Sequence, residues 1–130
     1  MSSGMTTAVS SMYLADATGG TARTAPVAPM KLSPETVAGS AASAGTELGS
    51  TTRPSVTFGA PSGTPPVAGN SSAVTVVCGA TGTVVADAIY DSASTPVRFW
   101  FGPLSASRAV VAGDSLLYAT NSIQTSVTSP

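Results

Sequence analysis

Val84-Val85-Ala86-Asp87-Ala88-Ile89-Tyr90, then Asp91-Ser92-Ala93-Ser94-Thr95-Pro96, then Val97-Arg98-Phe99-Trp100-Phe101: two apolar runs flank six turn-forming residues. That arrangement predicts a β-hairpin. In the second run, period-two alternation puts Val97, Phe99 and Phe101 on one face and Arg98 and Trp100 on the other. Upstream, Val56 and Phe58 alternate before Gly59-Ala60-Pro61-Ser62-Gly63, and Val74, Val76 and Cys78 alternate after Asn70-Ser71-Ser72. Downstream, Val110-Val111, Leu116-Leu117-Tyr118 and Ile123, Thr125, Val127 supply three more short runs. Strands recurring about every ten residues, with turn signals between them, predict an all-β fold, a single β-sandwich or related barrel over residues 51–130. The large apolar members of the runs, Phe58, Val76, Ile89, Phe99, Phe101 and Leu116, are its expected core.

Residues 1–50 read differently. Large apolar residues are scattered there, and Gly19-Gly20 and Ala38-Gly39-Ser40-Ala41-Ala42-Ser43-Ala44-Gly45 interrupt them. The expectation is an extended N-terminal arm, with residues 33–50 either arm or regular structure. Met5, Val9, Met12 and Leu14 have partial helical spacing, so one short helix fits within residues 5–17.

Composition narrows the function. The 130 residues include no histidine, one cysteine, five basic and six acidic side chains, so no nucleophile, base and acid can be assembled and an enzyme is not expected. Charged residues are 8% and the net charge is −1. Such a surface does not steer a polyanion, so nucleic acid is not an expected partner. It also does little to keep copies apart, which suits a subunit of an assembly. No stretch approaches the roughly 20 apolar residues that cross a bilayer, so no membrane is expected. Met1 to Leu14 lacks the basic start and continuous apolar stretch of a signal peptide.

Asp87, Asp91 and Asp114 could offer oxygen to a hard cation, but no D-x-D-x-D-G loop holds them; they read as solvated turn aspartates, and no metal or cofactor is expected. Cys78 closes a strand-like run and reads as a buried structural thiol. Gly79-Ala80-Thr81-Gly82 lacks the Lys and helix of a phosphate loop and reads as a turn. Tyr90, Arg98 and Trp100 are the candidate interaction surface, with an aromatic cluster on the hairpin as the plainer reading.

Arg53-Pro54-Ser55-Val56-Thr57-Phe58-Gly59-Ala60 with Pro61-Ser62-Gly63, Asn70-Ser71, Asp87-Ala88-Ile89-Tyr90-Asp91, Phe101-Gly102-Pro103-Leu104-Ser105 and Arg108 through Leu116 resemble, in order and spacing, a family of small tailed-bacteriophage virion proteins, commonly labelled tail fibre or minor structural proteins. A weaker likeness runs through Gly20-Thr21-Ala22, Thr24-Ala25-Pro26 and Gly45-Thr46-Glu47-Leu48. The chain departs from the family at Pro29, which would remove a ladder hydrogen bond from a first strand at Val27 to Leu32, and at Ser94-Thr95-Pro96, where the family often has Gly-Gly. The resemblance implies an all-β virion subunit. A compact domain, low charge and a flexible arm together favour a capsid decoration protein that reinforces the major capsid shell. The alternative is a tail fibre or tail-tip subunit that binds a host receptor. Either way the expected place is the virion surface, and the expected partners are the major capsid protein or tail proteins and further copies of the chain, a homotrimer.

Overall fold

The computed structural model describes residues 2–126. In chain order the elements are β1 (Ser2–Met5), α1 (Thr7–Ala17), β2 (Met30–Val37), β3 (Thr46–Glu47), β4 (Ser55–Val56), β5 (Val67–Gly69), β6 (Val74–Val77), β7 (Gly82–Tyr90), β8 (Arg98–Val110), β9 (Ser115–Tyr118) and β10 (Gln124–Ser126). The fold is all-β with one short helix, as the turn-punctuated alternation predicts. Eight strands form one sheet in the order β3-β2-β7-β8-β1-β10-β5, with β4 also paired to β2; β6 and β9 form a separate two-stranded ribbon.

The hairpin of β7 and β8 is the centre of the large sheet. β7 and β8 pair antiparallel from Gly82↔Val110 to Tyr90↔Arg98. Apolar side chains on its inner face pack against the ribbon, whose alternation is regular: Val74 and Val76 on β6, and Leu116 and Tyr118 on β9, point inward. Leu32, Leu48, Val56, Cys78, Val84, Ile89, Val110 and Ile123 complete this core, with Phe58 and Trp100 partly buried against it. Burial of such side chains is the main force holding the two layers together.

Four findings differ from the sequence reading, each for a physical reason. Residues 30–37 and 46–47 are strands of the sheet, and only 38–45 between them is a loop, so regular structure enters the stretch left open as arm or regular structure. β2 lies inside the sheet between β7 and the short strands β3 and β4, so pairing crosses the supposed boundary at residue 50. Its middle, Leu32-Ser33-Pro34-Glu35, is buried throughout, and polar residues in a strand covered on both faces give no alternation to read. The exposed coil of this half of the chain is instead the stretch 18–29.

Pro29 does not prevent an interior first strand, because β2 begins one residue after it. Pro34 is tolerated within β2. Leu32 donates its amide to Pro54 and the Pro34 carbonyl accepts from Leu48, so Pro34 turns its main chain away from β7, toward the gap between β4 and β3. No β2–β7 ladder bond is lost there.

The faces of β8 are shifted. Ile89 pairs with Trp100 but Tyr90 pairs with Arg98, leaving Phe99 as an extra residue. This β-bulge puts Arg98 on the side of Phe101 and Trp100 on the side of Ile89. Phe99 is buried but lies outside the cluster between the layers, and Phe101 is only half-buried and outside it too, so two of the six expected core residues leave that core while Phe58 stays at its margin. Of the three aspartates read as solvated turn residues, Asp87 is fully buried within β7, and Asp91, though in a turn, is only 4% exposed. Helix α1 falls within the expected 5–17, with Val9 buried. Val127 lies outside the described residues.

Candidate interaction surfaces

The bulge at Phe99 brings two of the three candidate residues together and sends the third away. Tyr90 and Arg98 are cross-strand neighbours on the sheet's outer face. Arg53 leaves the start of the β4 segment to stack its guanidinium 3.8 Å from the centroid of the Tyr90 ring, a cation–π contact. The same guanidinium donates in a fork to both oxygens of Glu47, at 2.8 and 2.9 Å. That bond holds the Glu47 carboxyl below its usual range. Burial raises the Tyr90 hydroxyl above its own.

Arg98 is clamped rather than free. Its Nη2 donates to the Ser40 carbonyl at 2.6 Å, its guanidinium lies 5.4 Å from the Phe101 ring, and its own carbonyl accepts from Thr6 Oγ1 at 2.8 Å. Loop 38–45 therefore closes over this face, and Thr7 fastens the start of α1 to it by donating its amide to Ala41 at 2.8 Å. Beneath the loop Glu35 is 3% exposed. Burial raises its carboxyl, against the opposing pull of Arg98 and of the Gly45 amide. Two glycines make the closure possible: a Cβ on Gly39 would sit 2.8 Å from Arg98 Nη1, and one on Gly45 1.9 Å from Glu35 Oε2. The small-residue run that reads as an arm is thus a cover whose lack of side chains lets it lie on buried charges.

Trp100 stands on the opposite face. It is half-buried against the core and borders an apolar groove of about 330 Å³ with Pro61, Pro66, Ala68, Thr125 and Ser126. Tyr90, Arg98 and Trp100 do not form one platform.

The three aspartates also lie apart in function. Asp91 accepts from the amides of Val27 and Val97 at 3.2 and 2.8 Å, and Asp114 from that of Val111 at 2.8 Å; both act as turn caps. Asp87 Oδ1 accepts from Tyr118 Oη at 2.7 Å, and burial carries its pKa up to about 7. Cys78 is 1% exposed, and burial raises its thiol. Among the described residues no three His, Cys, Asp or Glu side chains are grouped as metal ligands would be. Gly79 closes the turn after β6, where its amide bonds to Thr51 Oγ1.

Sequence reasoning missed the Asp87–Tyr118 bridge between the layers, Glu35 under the loop and the Glu47–Arg53 pair next to Glu35 on the neighbouring strand. Charged residues are so few in this chain that two acids inside one short segment, Glu35 to Glu47, could have marked it.

A family model described as Podophage GP4 fiber I protein gp80 matches residues 4–126. The chain belongs to that family. The match takes in β1 and α1 as well as the hairpin, so the N-terminal elements of the sheet are part of what the family shares. Membership makes the chain a phage virion structural protein, as the resemblance implied. No curated protein and no solved structure matches it.

Proposed function

We propose that the chain is a non-catalytic subunit of a phage tail fibre, working by assembly with further copies of itself and with neighbouring tail proteins. The observation that carries this is the match of a fibre-protein family over residues 4–126. The outer face supports the reading: Arg98 holds the loop 38–45 through Ser40, and Arg53 and Glu47 hold one another. Capsid decoration rests on a compact domain, low charge and a flexible arm; β2 takes residues 30–37 of that arm into the sheet, which weakens the third of these. A homotrimer remains the expected assembly, because closed cyclic symmetry is the usual solution for small subunits.

The test is a deletion of the coding region combined with counting copies per particle. A fibre subunit is present in tens of copies at most, and particles lacking it adsorb poorly while their heads keep normal heat resistance. Hundreds of copies per particle, with heads that lose DNA at lower temperature in the deletion, would return the protein to the capsid surface.

A further inference from the structure

We propose that loop 38–45 is a strap that opens when the Glu35 carboxyl ionises, uncovering the outer face of β2, β7 and β8 and releasing the start of α1. The strap contains nothing that anchors a loop by burial. It reads Ala38-Gly39-Ser40-Ala41-Ala42-Ser43-Ala44-Gly45, and none of these residues is buried. The Ser40 amide donates to the Ser43 carbonyl and the Ser43 amide to Ser40 Oγ, bonds that shape the strap without fastening it. What fastens it is polar: Arg98 donates to the Ser40 carbonyl, the Thr7 amide to the Ala41 carbonyl, and the Gly45 amide to the Glu35 carboxyl. A segment held by a few polar bonds, with little apolar packing, belongs to the low-stability end of a fold, where local opening takes little free energy.

Beneath the strap the sheet offers small side chains and two charges. Ser33 pairs with Ala88 and Glu35 with Ala86, so these four share one face, and all are buried. Arg98 joins that face through its pairing with Tyr90. The closed strap keeps Arg98 and Glu35 apart. Among the described residues the ion pairs are Arg23–Asp16 and Arg53–Glu47, so Arg98 and Glu35 are not in salt-bridge contact. Two glycines run between them: a Cβ on Gly39 would stand 2.8 Å from Arg98 Nη1 and 2.6 Å from the Gly45 nitrogen, and one on Gly45 1.9 Å from Glu35 Oε2. Glu35 Oε1 and Arg98 Nη1 are each buried without a hydrogen-bond partner. Buried charge left unpaired is strongly unfavourable, and lifting the strap returns both groups to solvent.

The groups around Glu35 set the direction of the response. On its own strand Lys31 bonds to Ser55. Glu47 pairs opposite Glu35 on β3 and is forked to Arg53. Tyr90 and Asp87 stand on β7, Asp87 turned to the other face toward Tyr118, and Arg98 comes from β8. The strap itself carries no ionisable side chain. Burial is the largest influence and raises the Glu35 carboxyl above its ordinary 4.5; Arg98 and the Gly45 amide oppose it, and Glu47 adds to it. With the strap open the carboxyl meets water and regains its ordinary value. The closed form therefore binds the proton more tightly, so the strap is shut below about pH 4.5 and opens as the pH rises through the closed-form value. Once open, Glu35, Arg98 and Tyr90 are presented together on the outer face. This device operates whether the chain sits in a fibre or on a capsid.

The experiment follows single amides of the full chain by NMR from pH 4 to pH 8, with the Glu35 carboxyl carbon recorded in the same samples. Exchange protection, corrected for the intrinsic pH dependence of exchange, should fall by about tenfold or more at Gly45 and Thr7 across that range. Thr6, bound to the Phe99 carbonyl, should stay protected. The change at Gly45 and Thr7 should share its midpoint with the Glu35 carboxyl, above 4.5. Glu35→Gln keeps an acceptor for the Gly45 amide and does not ionise, so it should hold the strap shut at both ends of the range. Asp87→Asn should leave the transition of the strap in place. The wild-type titration keeps the test decisive if Glu35→Gln fails to fold. Protection at Gly45 and Thr7 that does not change with pH overturns the proposal. So does a transition that persists in Glu35→Gln, or one that disappears in Asp87→Asn.

Discussion

Asp87 is the residue on which the chain's pH response turns. Its carboxyl is removed from water, its Oδ2 finds no partner, and the single bond from Tyr118 does not offset the loss of solvation. The folded pKa of about 7 lies above the ordinary aspartate value of 3.8. For an acid this means that the folded state holds the proton more tightly than the unfolded one. Stability from this group is fully present below pH 4 and is lost as the pH rises toward and through 7. Three units correspond to about 4 kcal/mol, a large part of the margin of a small domain. Melting temperature should therefore fall between pH 4.5 and 8, and Asp87→Asn, which keeps an acceptor for Tyr118, should flatten the slope. An unchanged slope in that variant would place the titration elsewhere. The sequence hid this role because Asp87 stands four residues before a true turn aspartate, and only the pairing with β2 and the facing ribbon buries it.

At the scale of elements, the β7–β8 hairpin was legible because two apolar runs flank six turn-forming residues. The bulge was not, since a run such as Arg98-Phe99-Trp100-Phe101 has large side chains at every position and gives no signal for the extra residue. Burial separates the two phenylalanines experimentally: Phe99→Ala should cost roughly 3–5 kcal/mol, and Phe101→Ala, half-exposed under Arg98, distinctly less. Denaturant unfolding of both variants measures this, and equal losses would contradict the shifted register. Loop 38–45 was illegible for the opposite reason, as its small residues resemble a linker. Its glycines are fixed by what they touch. A Cβ on Gly45 would also come 2.1 Å from the Val37 carbonyl, a backbone atom that cannot swing aside. Gly45→Ala should thus lift the loop and lower the melting temperature, while Ala44→Gly, at an exposed neighbour, should do little. A Gly45→Ala protein that melts with the parent would mean that the loop does not bear on the sheet.

At the scale of the whole molecule, the question is whether the first segment of the chain is appended to the fold or part of it. β1 lies between β8 and β10, pairing antiparallel with one and parallel with the other, so it joins β10 and β5 to the rest of the sheet. Its four residues, Ser2-Ser3-Gly4-Met5, have no strand signature; they form a strand because two edges wait on either side. Thr6 and Thr7 then bond to the Phe99 and Ala41 carbonyls, which fixes the segment at the hairpin and at the loop. The exposed coil 18–29 separates this anchored piece from β2, and Arg23 lies within it. Trypsin should cut first after Arg23, because it lies in exposed coil, whereas Lys31, Arg98 and Arg108 are held in strands and Arg53 precedes a proline. The two pieces should nevertheless elute together in native buffer and separate only in denaturant, since backbone bonds on both sides of β1 must break at once. If the short piece is released freely and the remainder melts as before, β1 and α1 are an appended arm after all, and the sheet closes without them.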